Sequence, residues 1–244
     1  MPPAPSIRIG TAGWSIAREQ AAHFPAAGQG LQRYSAVLPC AEINSSFHRP
    51  HRASTCEKWR DSVPAAFRFA VKLPKTITHA ARLVDAEPLL EAFVAEAGLL
   101  NDKLSVLLVQ LPPSLELDVT VADRFFRQVR ERSEASVTVE PRHASWFSDE
   151  AAALLHEVGV SRVGADPARV PLAAEPLVVG GLAYWRLHGS PVIYRSSYAD
   201  RIADLGAAVR GTKAAAKWII FDNTASSAAS GDALALMRAL DLAG

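Results

Sequence analysis

Cysteine is scarce in this chain: Cys40 and Cys56 are the two it has in 244 residues. They form no CxxC, and no His stands near them at metal-binding spacing. A disulfide framework and a cysteine-based zinc module are excluded, and two buried thiols in a reducing compartment are expected. A surplus of one charge is also missing, with 26 Lys and Arg against 25 Asp and Glu and a net charge of +1. Nothing in that balance draws the chain toward nucleic acid or an anionic membrane. Long apolar runs are absent too, and none approaches the ~20 residues that span a bilayer. Met1 to Ser6 offer neither a basic region nor an apolar core, so no signal peptide is read there and a cytoplasmic location is expected. A Gly-rich phosphate turn is lacking as well, because Gly10-Thr11-Ala12-Gly13 is too short a match to GxGxxG.

What is present is an ordinary globular composition, 49% hydrophobic and 21% charged, with a regular alternation of elements. β-rich runs at 7–12, 41–44, 67–72, 105–110, 136–140, 160–166, 182–188 and 217–222 make eight. Between most of them lie apolar residues at helical spacing, as from Pro88 to Leu100 and from Val121 to Arg130. After the sixth run, Pro167 and Pro171 break the helical pattern. Eight strand–helix units in a chain of this length predict an α/β fold: a single (β/α)8 TIM barrel over residues 1–244, with a short Pro-rich tail at 1–6. An open doubly wound sheet is the main competitor, and the missing phosphate turn counts against it.

Side chains alternate along a strand, and apolar neighbours decide which parity faces the helices. Ile43 packs outward, so Glu42 and Asn44 face in. Val137 and Val139 go out, leaving Thr138 and Glu140 inside. Tyr184, Arg186 and His188 share the inward parity opposite Trp185 and Leu187. The same rule turns Lys72, Gln110, Asp166 and Asp222 inward at the ends of their strands. A barrel held by packing alone would carry Val, Ile and Leu there. Buried charges need partners, so this many polar groups imply mutual pairing and a ligand. Arg8, Arg68 and Arg162, at the opposite strand ends, read as structural charges of the bottom rim.

The strings GTAGWS (10–15), EINSSFHRP (42–50), RFAVKLPKTITH (68–79), LLVQLPPS (107–114), VEPRHASWF (139–147), YWRLHG (184–189) and FDNTA (221–225) follow one another along nearly the whole chain. In that order they resemble the motifs of the family called domain of unknown function 72, or YecE-like. The resemblance implies a TIM barrel with a site at its rim, and no particular reaction. Two positions depart from the family pattern. Pro141 stands where an aromatic residue is usual between the Glu and the Arg, and Asp222-Asn223 where paired asparagines are frequent. The added carboxylate weighs against anion binding at that edge.

Glu42 and Glu140 are the residue types of an acid/base or acid/nucleophile pair, and equally of partners for Arg186 and Lys72. His143, His188, Glu42, Glu140, Asp166 and Asp222 include metal-ligand types. No HxxE or HxH spacing joins them, and Lys72 and Arg186 compete for the carboxylates, so neither a metal nor a cofactor is expected. Trp14, Phe47, Trp146 and Tyr194, just beyond strand ends, suit stacking on a ring or the packing of a lid. Arg142, Arg186 and Arg195 suit a carboxylate or phosphate. Trp59, Trp185 and Trp218 read as packing residues.

The functional reading is an enzyme of hydrolase or lyase type acting on a small polar, anionic substrate, with Glu42, Glu140 and Lys72 as catalytic groups. Trp14, Asn44, Gln110, Arg142, His143 and Trp146 are expected to bind the substrate, together with Arg186, His188, Tyr194, Asp222 and Asn223. A small molecule is the expected partner, with no membrane, and nucleic acid is left to the alternative reading. The alternatives are a metal-dependent phosphoesterase acting on nucleic acid and a non-catalytic metabolite-binding barrel.

Overall fold

The β-rich runs become strands, and the sixth is broken in two by Val163. The computed structural model describes residues 6–242. Its strands are β1 (Ser6–Ala12), β2 (Cys40–Ile43), β3 (Arg68–Lys72), β4 (Leu104–Gln110), β5 (Ser136–Glu140), β6 (Val160–Arg162), β7 (Gly164–Asp166), β8 (Leu182–Leu187) and β9 (Ala216–Phe221). All pair in parallel, in the order β6-β5-β4-β3-β2-β1-β9-β8-β7. The sheet's two edges are therefore consecutive in the chain, and the sheet curls into a nearly closed barrel of TIM type. The backbone N–H of Val163 donates to Val139 O at 2.9 Å, which carries the β5 ladder one residue past β6. Residues 1–5 of the Pro-rich tail lie outside the described residues, and Ser6 already belongs to β1.

Around the sheet run α1 (Gly30–Ser35), α2 (Ala53–Asp61), α3 (Glu87–Gly98), α4 (Val119–Arg132), α5 (Asp149–Glu157), α6 (Ile202–Gly211) and α7 (Ala228–Ala239). In α4 the Asp118 carboxylate accepts the Val121 N–H at 3.0 Å, and Arg130 and Arg132 fall in the last turn. Both ends thus suit the helix dipole. Its buried residues Ala122, Phe125, Phe126 and Val129 recur at helical spacing and form one face toward the sheet. Between β7 and β8, where the prolines interrupt the pattern, there is a single 3-10 turn, Pro171–Ala173, and no α-helix. No helix among the described residues is long and apolar enough to cross a membrane.

Two apolar clusters lie on the two sides of the sheet. The larger joins outward strand residues such as Ile43, Val137, Val139, Trp185 and Leu187 to the helices. The smaller fills the barrel and includes Cys40, Ala70, Leu108, Val163, Tyr184 and Ile220. Gly10 is required where β1 passes β2, since a Cβ there would run into the Cys40 carbonyl oxygen. Inside the barrel, Val163, between β6 and β7, and Ala165 of β7 occupy inward positions, which corrects the expectation for Asp166 and Arg162. Asp166 turns outward, accepting from Arg201 Nη2 at 2.8 Å and from the Tyr198 hydroxyl at 2.8 Å. Arg162 lies over the Phe147 ring at 4.7 Å, among groups beyond the end of β5, and is no bottom-rim charge. Arg8 and Arg68 do hold the bottom, donating to the carbonyls of Ala66 and Ala65 at 3.0 and 2.7 Å ahead of β3.

Candidate active site at the barrel mouth

Arg186, the fifth residue of β8, reaches the barrel axis with no exposed surface. Its guanidinium clasps Glu42, from β2, through Nε to Oε2 at 3.0 Å and Nη2 to Oε1 at 2.7 Å. Nη1 donates to Glu140 Oε2 at 2.6 Å, and Nη2 also reaches Asp222 Oδ2 at 3.0 Å. The Tyr184 hydroxyl gives Glu42 Oε2 a further bond at 2.9 Å, and Gln110 Nε2 donates to Glu140 Oε2 at 2.9 Å. Apart from Tyr184, the third residue of β8, each of these side chains comes from the C-terminal half of its strand or just beyond it, where strand parity turns it inward.

His188 completes the cluster. Its Nδ1 lies 2.9 Å from Asp222 Oδ2 and its Nε2 lies 2.8 Å from Glu140 Oε1. Ionised carboxylates only accept, so a ring with a carboxylate on each nitrogen carries both protons and is an imidazolium. Burial opposes that charge, but Glu140 and Asp222 outweigh it and raise the His188 pKa. Burial would likewise raise Glu140 and Asp222; Arg186 and His188 overcome it and hold both below the usual carboxylate range. Arg186 is held well above its ordinary value against burial by Glu42, Glu140 and Asp222. Glu42, Glu140 and Asp222 thus face Arg186, His188 and Lys72, three charges of each sign.

Lys72 stands slightly apart, at the end of β3. Its Nζ sits 3.9 Å from the centre of the Phe47 ring, and it makes no ion pair among the described residues. Burial and the nearby Arg186 push its pKa down to about 8. Beside it in the sheet, Asn44 follows β2 with its Oδ1 buried and without a hydrogen-bond partner among the described residues. Above Glu140 and His188 opens a pocket of about 140 Å³ whose walls include Arg142, Arg169 and Tyr194. Arg142 reaches Glu140 Oε1 at 3.4 Å, and the Tyr194 ring meets the His188 ring edge-on at 5.9 Å. The pocket has room for a few heavy atoms and meets two guanidinium groups and a protonated imidazole.

The structure thus brings Glu42, Lys72, Gln110, Glu140, Arg186, His188 and Asp222 together, with Asn44, Arg142 and Tyr194 at the rim. Four of the expected substrate-binding residues lie elsewhere. Trp14 packs edge-on against Trp59 at 5.2 Å and against the outward-facing Phe69 at 6.4 Å, in the helix layer. Trp146 is 1% exposed and donates to Leu115 O at 3.0 Å, beside Phe126. His143 turns back to its own turn, with Nδ1 2.9 Å from Ser145 Oγ. Asn223 donates to Asp232 Oδ2 at 2.6 Å and to Ser196 O at 3.0 Å, anchoring the loop after β8. Large aromatic residues beyond strand ends are captured by the apolar helix layer, and short polar ones by loop hydrogen bonding. Arg195 is exposed and outside the cluster. Arg169 escaped the sequence reading because its segment showed only helix-breaking prolines. No three His, Cys, Asp or Glu side chains among the described residues are arranged to share a metal ion.

Comparison with known proteins places this geometry in context. The family model described as "Protein of unknown function DUF72" matches residues 8–244. The UPF0759 protein YecE of Escherichia coli strain K12 is 28% identical over 152 residues, 60% of this chain and 55% of that protein. The match thus spans about half the length of that curated relative. A DUF72 family protein from Enterococcus faecalis V583 has a crystal structure that superposes with a TM-score of 0.81 at 21% identity, covering 98% of this chain and 97% of that one. One from Thermotoga maritima MSB8 gives 0.77 at 22% identity, covering 96% and 99%. At those identities the two structures speak for the fold alone.

Proposed function

Since the chain belongs to the DUF72 family of proteins of unknown function, its chemistry has to be argued from its own site, and we propose an enzyme of hydrolase or lyase type acting on a small, polar, anionic substrate at the barrel mouth. The observation that carries this reading is the seat of His188, with a carboxylate on each ring nitrogen at the floor of a pocket walled by Arg142 and Arg169. Paired guanidinium groups suit a carboxylate or phosphate. Glu140, with His188 as its proton store, is the acid/base group, and Lys72 is a second group able to give or take a proton near neutral pH. Glu42 is too deeply enclosed to meet a substrate, and its part is to hold Arg186 in place. A structural brace has no use for a pocket above it or for a buried amine without an ion-pair partner among the described residues, and those two features favour a working site.

The test is a ligand-observed NMR screen of small carboxylic and phosphorylated metabolites against wild type and the Arg142→Ala/Arg169→Ala double variant. The expected ligand binds wild type, is lost from the double variant, and is retained but no longer turned over by Glu140→Gln. Equal binding by wild type and the double variant overturns the reading.

A further inference from the structure

Away from the Arg186 cluster, three side chains from two segments meet in a line. Ser45 follows Asn44 just beyond β2, and its Oγ lies 2.9 Å from Nε2 of His51. Nδ1 of His51 lies 3.0 Å from Oε1 of Glu96, a residue of α3. The same Oε1 accepts the backbone N–H of His51 at 2.8 Å, which fixes the ring relative to the carboxylate. An ionised carboxylate only accepts, so Nδ1 carries the proton and Nε2 of the neutral ring is left to accept from the Ser45 hydroxyl. This tautomer is assigned from the bonding pattern. The His51 side chain is 9% exposed and that of Glu96 16%, whereas Ser45 is open to solvent. Trp59 backs the imidazole edge-on, with ring centres 4.9 Å apart. The turn that presents Ser45 is fixed from below, where Ser46 Oγ donates to Ile43 O at 2.9 Å and reaches Lys72 O at 2.6 Å.

A base held in one tautomer and orientation, with a hydroxyl in reach and open access, is the arrangement that activates a serine as a nucleophile. A clip tying the 44–52 segment to α3 would need only the His51–Glu96 half and would have no use for an exposed hydroxyl at the ring's other nitrogen. We propose that Ser45, His51 and Glu96 form a second, acyl-transfer site that hydrolyses esters of short carboxylic acids. In the first half-reaction Ser45 Oγ attacks the ester carbonyl while its proton passes to His51 Nε2. The tetrahedral intermediate then collapses, breaking the acyl–oxygen bond as Nε2 returns the proton to the departing alcohol. In the second half-reaction water attacks the acyl-serine, giving a proton to Nε2 that is passed to Oγ as the free acid leaves. Glu96 is a positioning residue, holding the Nδ1–H tautomer and steadying the transient imidazolium. Exposure of Ser45 sets the substrate class, because a long acyl chain would find no enclosed seat there. None of the three residues belongs to the Arg186 cluster, so this site stands or falls independently of the function proposed for the barrel mouth.

The test uses the full chain with p-nitrophenyl acetate as substrate and a fluorophosphonate as covalent probe. A burst of p-nitrophenol and a fluorophosphonate adduct mapped to Ser45 by peptide mass spectrometry are expected. Ser45→Ala, a change at an exposed position, should lose both while keeping the wild-type circular dichroism spectrum. His51→Gln should slow hydrolysis by about 10²–10⁴-fold. Glu96→Gln should slow it too, through kcat with KM little changed, because an amide can no longer hold the Nδ1–H tautomer by accepting alone. A merely structural clip would leave kcat in place. An unlabelled wild type, an adduct at another residue, or hydrolysis unchanged in Ser45→Ala overturns the proposal.

Discussion

Arg186 and Glu42 face each other through two near-parallel bonds of 3.0 and 2.7 Å, in a space where neither side chain has any exposed surface. The same guanidinium also neutralises Glu140 and Asp222, so three strand ends are tied to a fourth through one cation.

Removing that cation should be costly. Arg186→Met leaves three buried carboxylates facing one another, and breaking a buried ion pair from one side costs about 3–5 kcal/mol. For a domain of this size the melting temperature should fall by roughly 6–20 °C. Calorimetry of the variant is the check, and an unchanged melt would show that solvent or protonation takes over the role of the arginine.

Glu140→Gln should separate charge from packing. The amide keeps nearly the same volume, and Arg186 retains Glu42 and Asp222, so the fold should persist. The His188 pKa should drop, since one of the two carboxylates that raise it is gone. An NMR titration of the imidazole carbons would see this directly. An unmoved titration would mean that Asp222 alone sets the protonation of His188.

Stability should weaken in acid. Glu140 and Asp222 have depressed pKa values in the folded state, so their contribution is complete above their unfolded values of about 4.3 and 3.9 and is lost as pH falls below them. The raised His188 acts in the opposite sense, its contribution being full below about 6.5 and lost as pH rises through the folded value. Lys72, pushed down from 10.5 to about 8, makes the unfolded chain the better proton binder between those values, so stability should rise with pH across that window. The difference in unfolding free energy between wild type and Lys72→Met should therefore grow in favour of wild type from about pH 8 to pH 10.5. Urea titrations at a series of pH values measure it, and a flat difference would contradict the depressed amine.

The loop after β8 should loosen in Tyr198→Phe. The buried hydroxyl accepts the Gly189 N–H at 2.8 Å and donates to Asp166 at 2.8 Å. Leaving such a donor unsatisfied costs about 1–3 kcal/mol. Limited proteolysis should show faster cleavage between residues 189 and 198, and an unchanged cleavage rate would place the anchor in Asn223 and Asp232 instead.

Strand parity was legible wherever a large apolar residue marked the outer face, as Ile43, Val139 and Trp185 do. It failed in β6 and β7, where Gly164 and Ala165 give no such mark and the inward Val163 resembles any outward valine. Who pairs with whom was not legible either. Glu42 and Arg186 are brought together by closure of the barrel, and alternation says which way a side chain points without saying what it meets. Trp14 and Trp146 sit at positions where a rim aromatic is reasonable, yet each is drawn into the helix layer by the apolar surface it can bury there. Arg169 and the loop holding Tyr194 are placed by tertiary contacts with no local periodicity to announce them.

The break at Val163 has a further consequence. Taken as a hoop, the sheet is fastened by a clasp made of residues 160–166, whose two halves, β6 and β7, are its shortest strands and serve opposite neighbours. Because both rims of the sheet are used up inside this one segment, no long backbone ladder is left for a passing strand from another molecule to copy. The protection is concentrated in a few peptide units, and Arg162 and Asp166, two outward side chains of the clasp, pin it to the layer outside. Loosening those pins would unfasten the hoop beside the pocket of Arg142 and Arg169, so the covered rims of the sheet and the shape of that pocket are held by the same seven residues.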